Sequence, residues 1–428
     1  MNFKRLFPIL LVIFTNILGA GVIIPILPLY AEGQFSGTVP QITLLATLFF
    51  GAQFIAAPWL GSLSDRYGRR PILLISQMGT VLAFILFILA APMGKWIEGL
   101  GLSLPVSGGM IMLYLARTLD GITGGNITAA QAYVSDITSE KDRAQGLGYL
   151  QGAFGVGFIF GPAFGGMLST ISPVTPFIGA AVITMGTFLL TLFTLEESLP
   201  EGERTGAARR QRSLPSLSVL TGNSNLSLVL GITFVASLAF SVLPATFSLY
   251  ADRVLFVDRP AGTGAEFYIG LMLTFNGIVT VITQVALLKP LVEKLRERRV
   301  LLVGEIALMF AFFGIGVVSN PILVTLFLAP FAFGQGVSQP NLQALVTRLG
   351  QDKSRGQMLG YYQSSRSLAL ILGPIWGGYV FEAISAKAVY QIGGLIMLVA
   401  IGLVLLLLRQ ELPPFQATEG KTSAAGGA

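Results

Sequence analysis

Chemistry in an apolar chain falls to the few polar side chains that interrupt it. Four charged residues do so here: Arg117 and Asp120 in one apolar run, Glu305 in a second and Arg366 in a third. A charge at membrane depth costs ~3 kcal/mol or more unless it is paired or faces water, so each is a candidate for handling a proton or a solute. Arg117 and Asp120 stand three apart and share a helical face with Gly121, Gly124, Thr128 and Gln131, a face expected to line a central cavity. Protonating Asp120 would free Arg117 for a new partner, a workable proton-exchange element; a fixed structural ion pair is the competing reading. Glu305 follows Arg299 by about a turn and a half, near enough to the membrane edge to snorkel out. Arg366 lies deeper, about three turns past Arg355, where anion binding and charge balancing are both open. Asn16, Gln53, Asn126, Asn276, Gln335, Gln339, Asn341 and Gln363 could hydrogen-bond a solute or glue helices together.

The residue types that are missing narrow the chemistry further. The 428 residues include no cysteine and no histidine, which removes disulfides, thiolate or imidazole metal sites, Cys/His nucleophiles and a histidine proton shuttle. Proton chemistry is left to carboxylates. No G-x-x-x-x-G-K-S/T phosphate loop is present, so ATP hydrolysis is not indicated and the chain does not read as an enzyme. The expected energy source is a proton gradient, with no cofactor and no metal.

The elements that must carry these residues follow from composition. Hydrophobic residues make up 53% of the chain and charged ones 11%, where a soluble domain carries roughly a quarter charged. The apolar residues gather into twelve runs of the length a helix needs to cross ~30 Å of hydrocarbon. These are Leu6 to Tyr30, Ile42 to Leu60, Ile72 to Ala91, Met110 to Tyr133, Gly146 to Leu168 and Pro176 to Leu195 in the first half. The second half has Leu226 to Tyr250, Phe267 to Leu288, Val300 to Val318, Ile322 to Leu345, Met358 to Val380 and Val389 to Leu408. The first run is too long for a signal-peptide core and reads as a retained helix.

Placing both termini in the cytoplasm puts 21 of the 27 Lys and Arg on that side, as the positive-inside rule requires. The net charge of +6 is therefore a topology signal beside anionic lipid, with no call for a nucleic-acid partner. The chain divides into a bundle at 1–195, a polar cytoplasmic linker at 196–225, a second bundle at 226–410 and a small-residue tail at 411–428. The two bundles are related: Gln131 to Gly166 aligns without gaps to Gln343 to Gly378 at a constant offset of 212. Shared residues include Arg143/Arg355, Gln151/Gln363 and Gly161-Pro162/Gly373-Pro374. Six spans per half in one orientation make parallel repeats about an axis along the membrane normal. A fainter echo joins Leu29-Tyr30-Ala31-Glu32 to Leu249-Tyr250-Ala251-Asp252.

The loop after the second run concentrates charge in a glycine-punctuated turn, with Gly61, Asp65, Arg66, Gly68, Arg69 and Arg70. Gly61 and Gly68 permit close backbone approach, Asp65 can accept at a helix N-terminus, and Arg69 or Arg70 can reach Asp136. Residues 61–70 resemble the G-x-L-x-D-R-x-G-R-R signature of the major facilitator superfamily. Leu18-Gly19 before Pro25 and Pro28, Arg117 through Gly121, and Gly157, Gly161, Pro162, Gly165 and Gly166 resemble three further motifs of its twelve-helix drug:proton antiporter branch, with tetracycline-efflux members most similar. The resemblance implies an all-α membrane protein with the major facilitator fold, twelve transmembrane helices in two six-helix bundles. It also implies a cytoplasmic lock built from Asp65, Arg70 and Asp136, with Arg143 nearby, that breaks when the transporter turns inward. The glycines of the fifth run would let helices pack closely while Pro162 bends the helix.

The implied function is export of small amphipathic compounds by proton antiport from a multi-pass position in the cell (inner) membrane. A symporter, a uniporter and a non-transporting membrane sensor are the alternatives. Both halves of the pathway lie in one chain, so a monomer suffices. The tetracycline exporters carry acidic residues in the first and third helices and a histidine in the second half. Here Asn16 and Ala83 stand at those positions and histidine is absent, which points away from tetracycline itself.

Overall fold

The computed structural model describes residues 3–101, 103–124, 126–139, 142–199, 224–257, 265–349 and 355–410. The tail and most of the linker expected at 196–225 lie outside the described residues. Apolar runs become helices because only an internally hydrogen-bonded backbone is tolerated in hydrocarbon. The first half comprises α1 (Phe3–Phe35), α2 (Val39–Tyr67), α3 (Arg69–Ile88), α4 (Ala90–Gly99), α5 (Gly108–Thr123), α6 (Asn126–Ile137), α7 (Arg143–Ser169) and α8 (Thr175–Thr194). The second comprises α9 (Ser224–Phe240), α10 (Val242–Tyr250), α11 (Ala265–Ile282), α12 (Leu288–Leu295), α13 (Glu297–Val317), α14 (Pro321–Leu349), α15 (Arg355–Ala383) and α16 (Ala386–Arg409). Single π-turns at Ala251–Leu255 and Thr283–Leu287 extend α10 and join α11 to α12.

Among the described residues, ten membrane-length apolar helices emerge by length and hydropathy. The other two expected spans are the fourth, which is broken, and α15, which is 29 residues long but carries Arg366 among polar neighbours. The break falls at Gly124, between α5 and α6. Two carbonyls it frees are met by side chains: Gln53 Nε2 donates to Gly124 O at 3.1 Å, and the Ser76 hydroxyl donates to Thr123 O. That is how an interrupted helix survives at membrane depth. Exposed Phe54, Ile55, Trp59, Phe193, Val285 and Ile322 are among the large apolar side chains on the outer surface, the pattern of a chain whose solvent is lipid.

The face carrying the Gly61–Pro71 turn is termed the basic face, and the opposite one the far face. At the far face one hydrophobic core crosses both halves, uniting Val22, Tyr30, Phe87 and Phe177 with Phe247, Tyr250, Phe331 and Tyr390. Near the basic face the core splits. Leu6, Ile13, Leu73 and Tyr133 form one cluster in the first half, and Leu226, Leu301, Leu345 and Tyr362 form another in the second. The bundles therefore make a V closed at the far face.

Candidate functional site

The seal of the V is made by α7 against α11 and by α2 against α15. Glycine 166 of α7 lies so close to α11 that a Cβ would sit 2.8 Å from Glu266 O, and Gly270 of α11 approaches Pro162 O in the same way, at 2.5 Å. Along the same contact the Thr274 hydroxyl donates to Ile159 O at 3.1 Å. Thr43 of α2 abuts Gly378, and the Thr47 hydroxyl donates to Ile371 O at 3.1 Å. An ion pair closes the far edge, with Arg253 Nε and Nη2 on Glu32 Oε1, the former at 3.2 Å. Toward the basic face the same helices diverge: Gly51, Gly148, Gly152 and Gly360 have open space where a side chain would project, and Gln151 and Gln363 are exposed.

The glycine stripe of α7 works in two directions. Gly157, Gly161 and Gly165 pack on α1, where a Cβ at Gly161 would lie 2.7 Å from Gly21 Cα, while Gly166 faces the other half. One helix thus bonds tightly inside its own bundle and across the seal.

Arg117 and Asp120 are 9% and 8% exposed, and Arg117 Nη1 donates to Asp120 Oδ2 at 3.0 Å. The guanidinium stacks 4.2 Å from the Phe49 ring centre, and the Thr80 hydroxyl reaches Asp120 Oδ1 at 3.5 Å. Gly121 meets Phe49 O, and Gly124 meets Gln53. Arg117, Asp120, Gly121 and Gly124 therefore pack on α2 and α3 within the first bundle and not on the central cavity expected for them, whereas Thr128 and Gln131, farther along the same pattern, are exposed. Small residues at 121 and 124 draw α2 over the ion pair.

Glu305 also departs from expectation. It is fully buried, so it does not snorkel. Both carboxyl oxygens lack a hydrogen-bond partner, and the Ser338 hydroxyl of α14 lies beside them without closing one. The adjacent Gly304 packs closely on Val337 and Ser338, holding α13 against α14 at this level. Arg366 is partly exposed, with its Nε buried and without an acceptor.

The amides separate in the same manner. Asn276 is buried with an unpartnered Oδ1, and with Gln335, Phe158, Pro162, Phe240 and Phe331 it lines a narrow pocket where both halves meet. Asn16 is partly exposed on α1, and Gln53 is committed to the break after α5. A wider hollow at the far face, among Ser36, Gln41, Glu98 and Ser107, contains none of the membrane-depth charges.

The basic-face cluster centres on Arg69. Its Nη1 bonds Asp65 and reaches the Ser64 hydroxyl at 3.2 Å, and its Nε donates to Asp136 Oδ2 at 3.1 Å. Arg70, the residue the resemblance implied, instead donates to Leu192 O at the end of α8, at 2.6 Å. Arg66 lies over the Tyr67 ring, Arg143 is exposed at the start of α7, and Gly61 is unobstructed. All these contacts stay inside the first half, and they persist while the V is open.

The sequence reading missed Glu197. It sits where a linker was expected, yet its carboxylate accepts from the backbone N–H groups of Arg69 at 2.8 Å and Arg70 at 3.2 Å, capping α3. Gly68 has φ +104°, and a Cβ there would lie 2.3 Å from Glu197 Oε2. Arg296, in the matching turn before α13, adopts φ +66° and ψ +156°, a region almost reserved for glycine.

Two six-span bundles closing on one another at one face, with charges held at membrane depth, define a secondary-transporter architecture. The family model for the Major Facilitator Superfamily matches residues 9–261 and 261–425, and the chain belongs to that superfamily. It is 31% identical over 397 residues to the class C tetracycline resistance protein of Escherichia coli, covering 91% of this chain and 92% of that one. It is 29% identical over 406 residues to multidrug resistance protein 2 of Bacillus subtilis (strain 168), covering 94% of each. Among solved structures, a bacterial homologue of the iron transporter ferroportin in the inward-facing state aligns with a TM-score of 0.74 at 13% identity, over 96% of this chain and all of that one.

Proposed function

We propose that the chain exports small amphipathic compounds in exchange for protons, as a monomer, by rocking its two bundles between cytoplasm-open and outward-open states. The observation that carries this reading is the division of the apolar core: one cluster crosses the halves at the far face, and two separate clusters stand apart at the basic face. With the basic face toward the cytoplasm, as the charge distribution favours, this is the state that loads a compound for export. The lining at the apex, aromatic walls with the two amides of Asn276 and Gln335, has the chemistry for an amphipath, and the narrow pocket there would have to widen to admit one. Drug-resistance relatives matching along nearly the whole chain support the same substrate class.

Coupling is assigned to Asp120. Its proton would release Arg117 from the 3.0 Å pair, and the freed guanidinium would pull on the α2 contacts around Phe49. The test is flux in proteoliposomes with an imposed pH gradient, using ethidium and fluorescein as solutes. Movement of either dye against the direction of proton flow supports antiport. Flux indifferent to pH would leave a uniporter, and no flux of either dye would contradict the reading.

A further inference from the structure

The two arginines held at membrane depth are in opposite circumstances. Arg117 has a carboxylate at 3.0 Å and an aromatic ring beneath it. Arg366 has neither, so although the Nε of both arginines is sealed from solvent without an acceptor, the charge of Arg366 alone is left uncompensated. The helices packed against α15 are α2, α9, α10, α14 and α16, and together they hold one carboxylate, Asp65, which is engaged by Arg69. On α15 itself Glu382 is about four turns away. The other polar groups nearby do not compensate a cation: the Ser365 hydroxyl is spent on Leu230 O, and the buried neighbour Tyr362 is a neutral phenol.

Position adds a second argument. The α2 contact on α15 reaches down to Ile371 O, and Gln363, Ser364 and Gly360 below it are exposed. Arg366 therefore sits just over one turn inside the open part of the V, where it keeps part of its surface exposed. The repeat places Phe154 at the corresponding position of the first half, so this cation is a departure from the duplicated pattern.

We propose that Arg366 is an anion receptor in the transport pathway, and that its guanidinium takes the carboxylate, sulfonate or phosphate of an amphipathic solute. The inference rests on the export reading and names the substrate class within it. An uncompensated guanidinium is a standing cost that a two-oxygen anion removes by paired, parallel hydrogen bonds. Phe240 and Phe331, in the narrow pocket where both halves meet, are aromatic side chains against which the apolar body would lie once that pocket widens. The preferred solute therefore carries one anionic group on an aromatic or aliphatic skeleton.

Equilibrium binding to the purified full-length chain tests this without any gradient, so a failed antiport assay leaves the result standing. The probes are two xanthene dyes, anionic fluorescein and cationic tetramethylrosamine, followed by fluorescence anisotropy. The wild-type chain is expected to bind fluorescein more tightly. Arg366→Gln is expected to weaken fluorescein about tenfold or more while leaving tetramethylrosamine within about twofold, and Arg366→Lys, which keeps the charge but not the paired hydrogen bonds, to fall between the two. Benzoate should displace fluorescein from the wild type, and benzylamine should not, a comparison that needs no variant to fold. Unchanged fluorescein affinity in Arg366→Gln, equal loss of both dyes, or displacement by benzylamine as readily as by benzoate would overturn the proposal.

Discussion

Among the described residues, the first bundle pairs its membrane-depth charges with one another and the second does not. In the first, Arg117 holds Asp120, Arg69 holds Asp65 and Asp136, and Glu197 caps α3. In the second, Glu305 and Arg366 have no partner, and Arg296 bends through a conformation that Gly68 occupies without strain in the first. Duplication kept the backbone geometry of the turn and the helix pairings while the side-chain chemistry diverged. The lesson is one of division: the half whose membrane-depth charges are paired holds the carboxylate assigned to coupling, and the half with unspent groups is left to be completed by a solute.

The largest expected effect breaks the satisfied half. Asp120→Asn leaves Arg117 buried without its counter-charge, so it should lower stability by ~3–5 kcal/mol and abolish proton-driven flux. The double variant with Arg117→Gln should recover most of the stability and none of the coupling, as read by thermal unfolding beside flux. Next comes the close contact of α7 with α1 inside the first bundle. Gly161→Val pushes a branched side chain into the α1 backbone at Gly21 and should cost ~1–3 kcal/mol or more with loss of transport.

The unsatisfied half should respond with the opposite sign. Glu305→Met replaces two unpartnered buried oxygens with apolar volume and should raise stability by ~1–3 kcal/mol in the same thermal assay. The paired turns offer a smaller test. Gly68→Ala should destabilise, by strain and by collision with Glu197, whereas Arg296→Gly should stabilise by ~1 kcal/mol. Smallest is the exposed far-face pair: Glu32→Gln should change stability by ~1 kcal/mol or less while favouring opening of the far face, read by accessibility of that face to a polar thiol reagent at an added cysteine.

Much of the fold was legible because apolar length alone dictates a spanning helix, and the offset of 212 exposed the repeat. Hydropathy did not reveal the break at Gly124, since two glycines inside a long apolar run read as continuous helix. Nor did it reveal α4, whose residues simply continue the apolar run before it. Orientation was the harder part of the site. The pattern at Arg117, Asp120 and Gly121 marks a polar, small-residue face, and such a face suits an aqueous cavity or a close helix neighbour equally well. Only tertiary packing shows that α2 covers it. Glu305 looked shallow by counting from Arg299, but depth along a helix does not say which way a side chain faces. Glu197 was hidden by the polar residues after it, and the signal for it was a carboxylate next to the sixth span, on the same face as an uncapped basic helix start at Arg69.

Rocking of the halves about the far-face seal is the central claim, and a chain without cysteine allows it to be measured cleanly. Spin labels at Gln151→Cys and Gln363→Cys report across the opening at repeat-related positions, and labels at Gly33→Cys and Val257→Cys report across the far face. Distances measured by pulsed electron resonance in Asp120→Asn, a mimic of the protonated carboxyl, should shorten for the first pair and lengthen for the second relative to the unaltered background. If both distances stay fixed, or change in the same direction, the halves do not exchange access by rocking and the account fails.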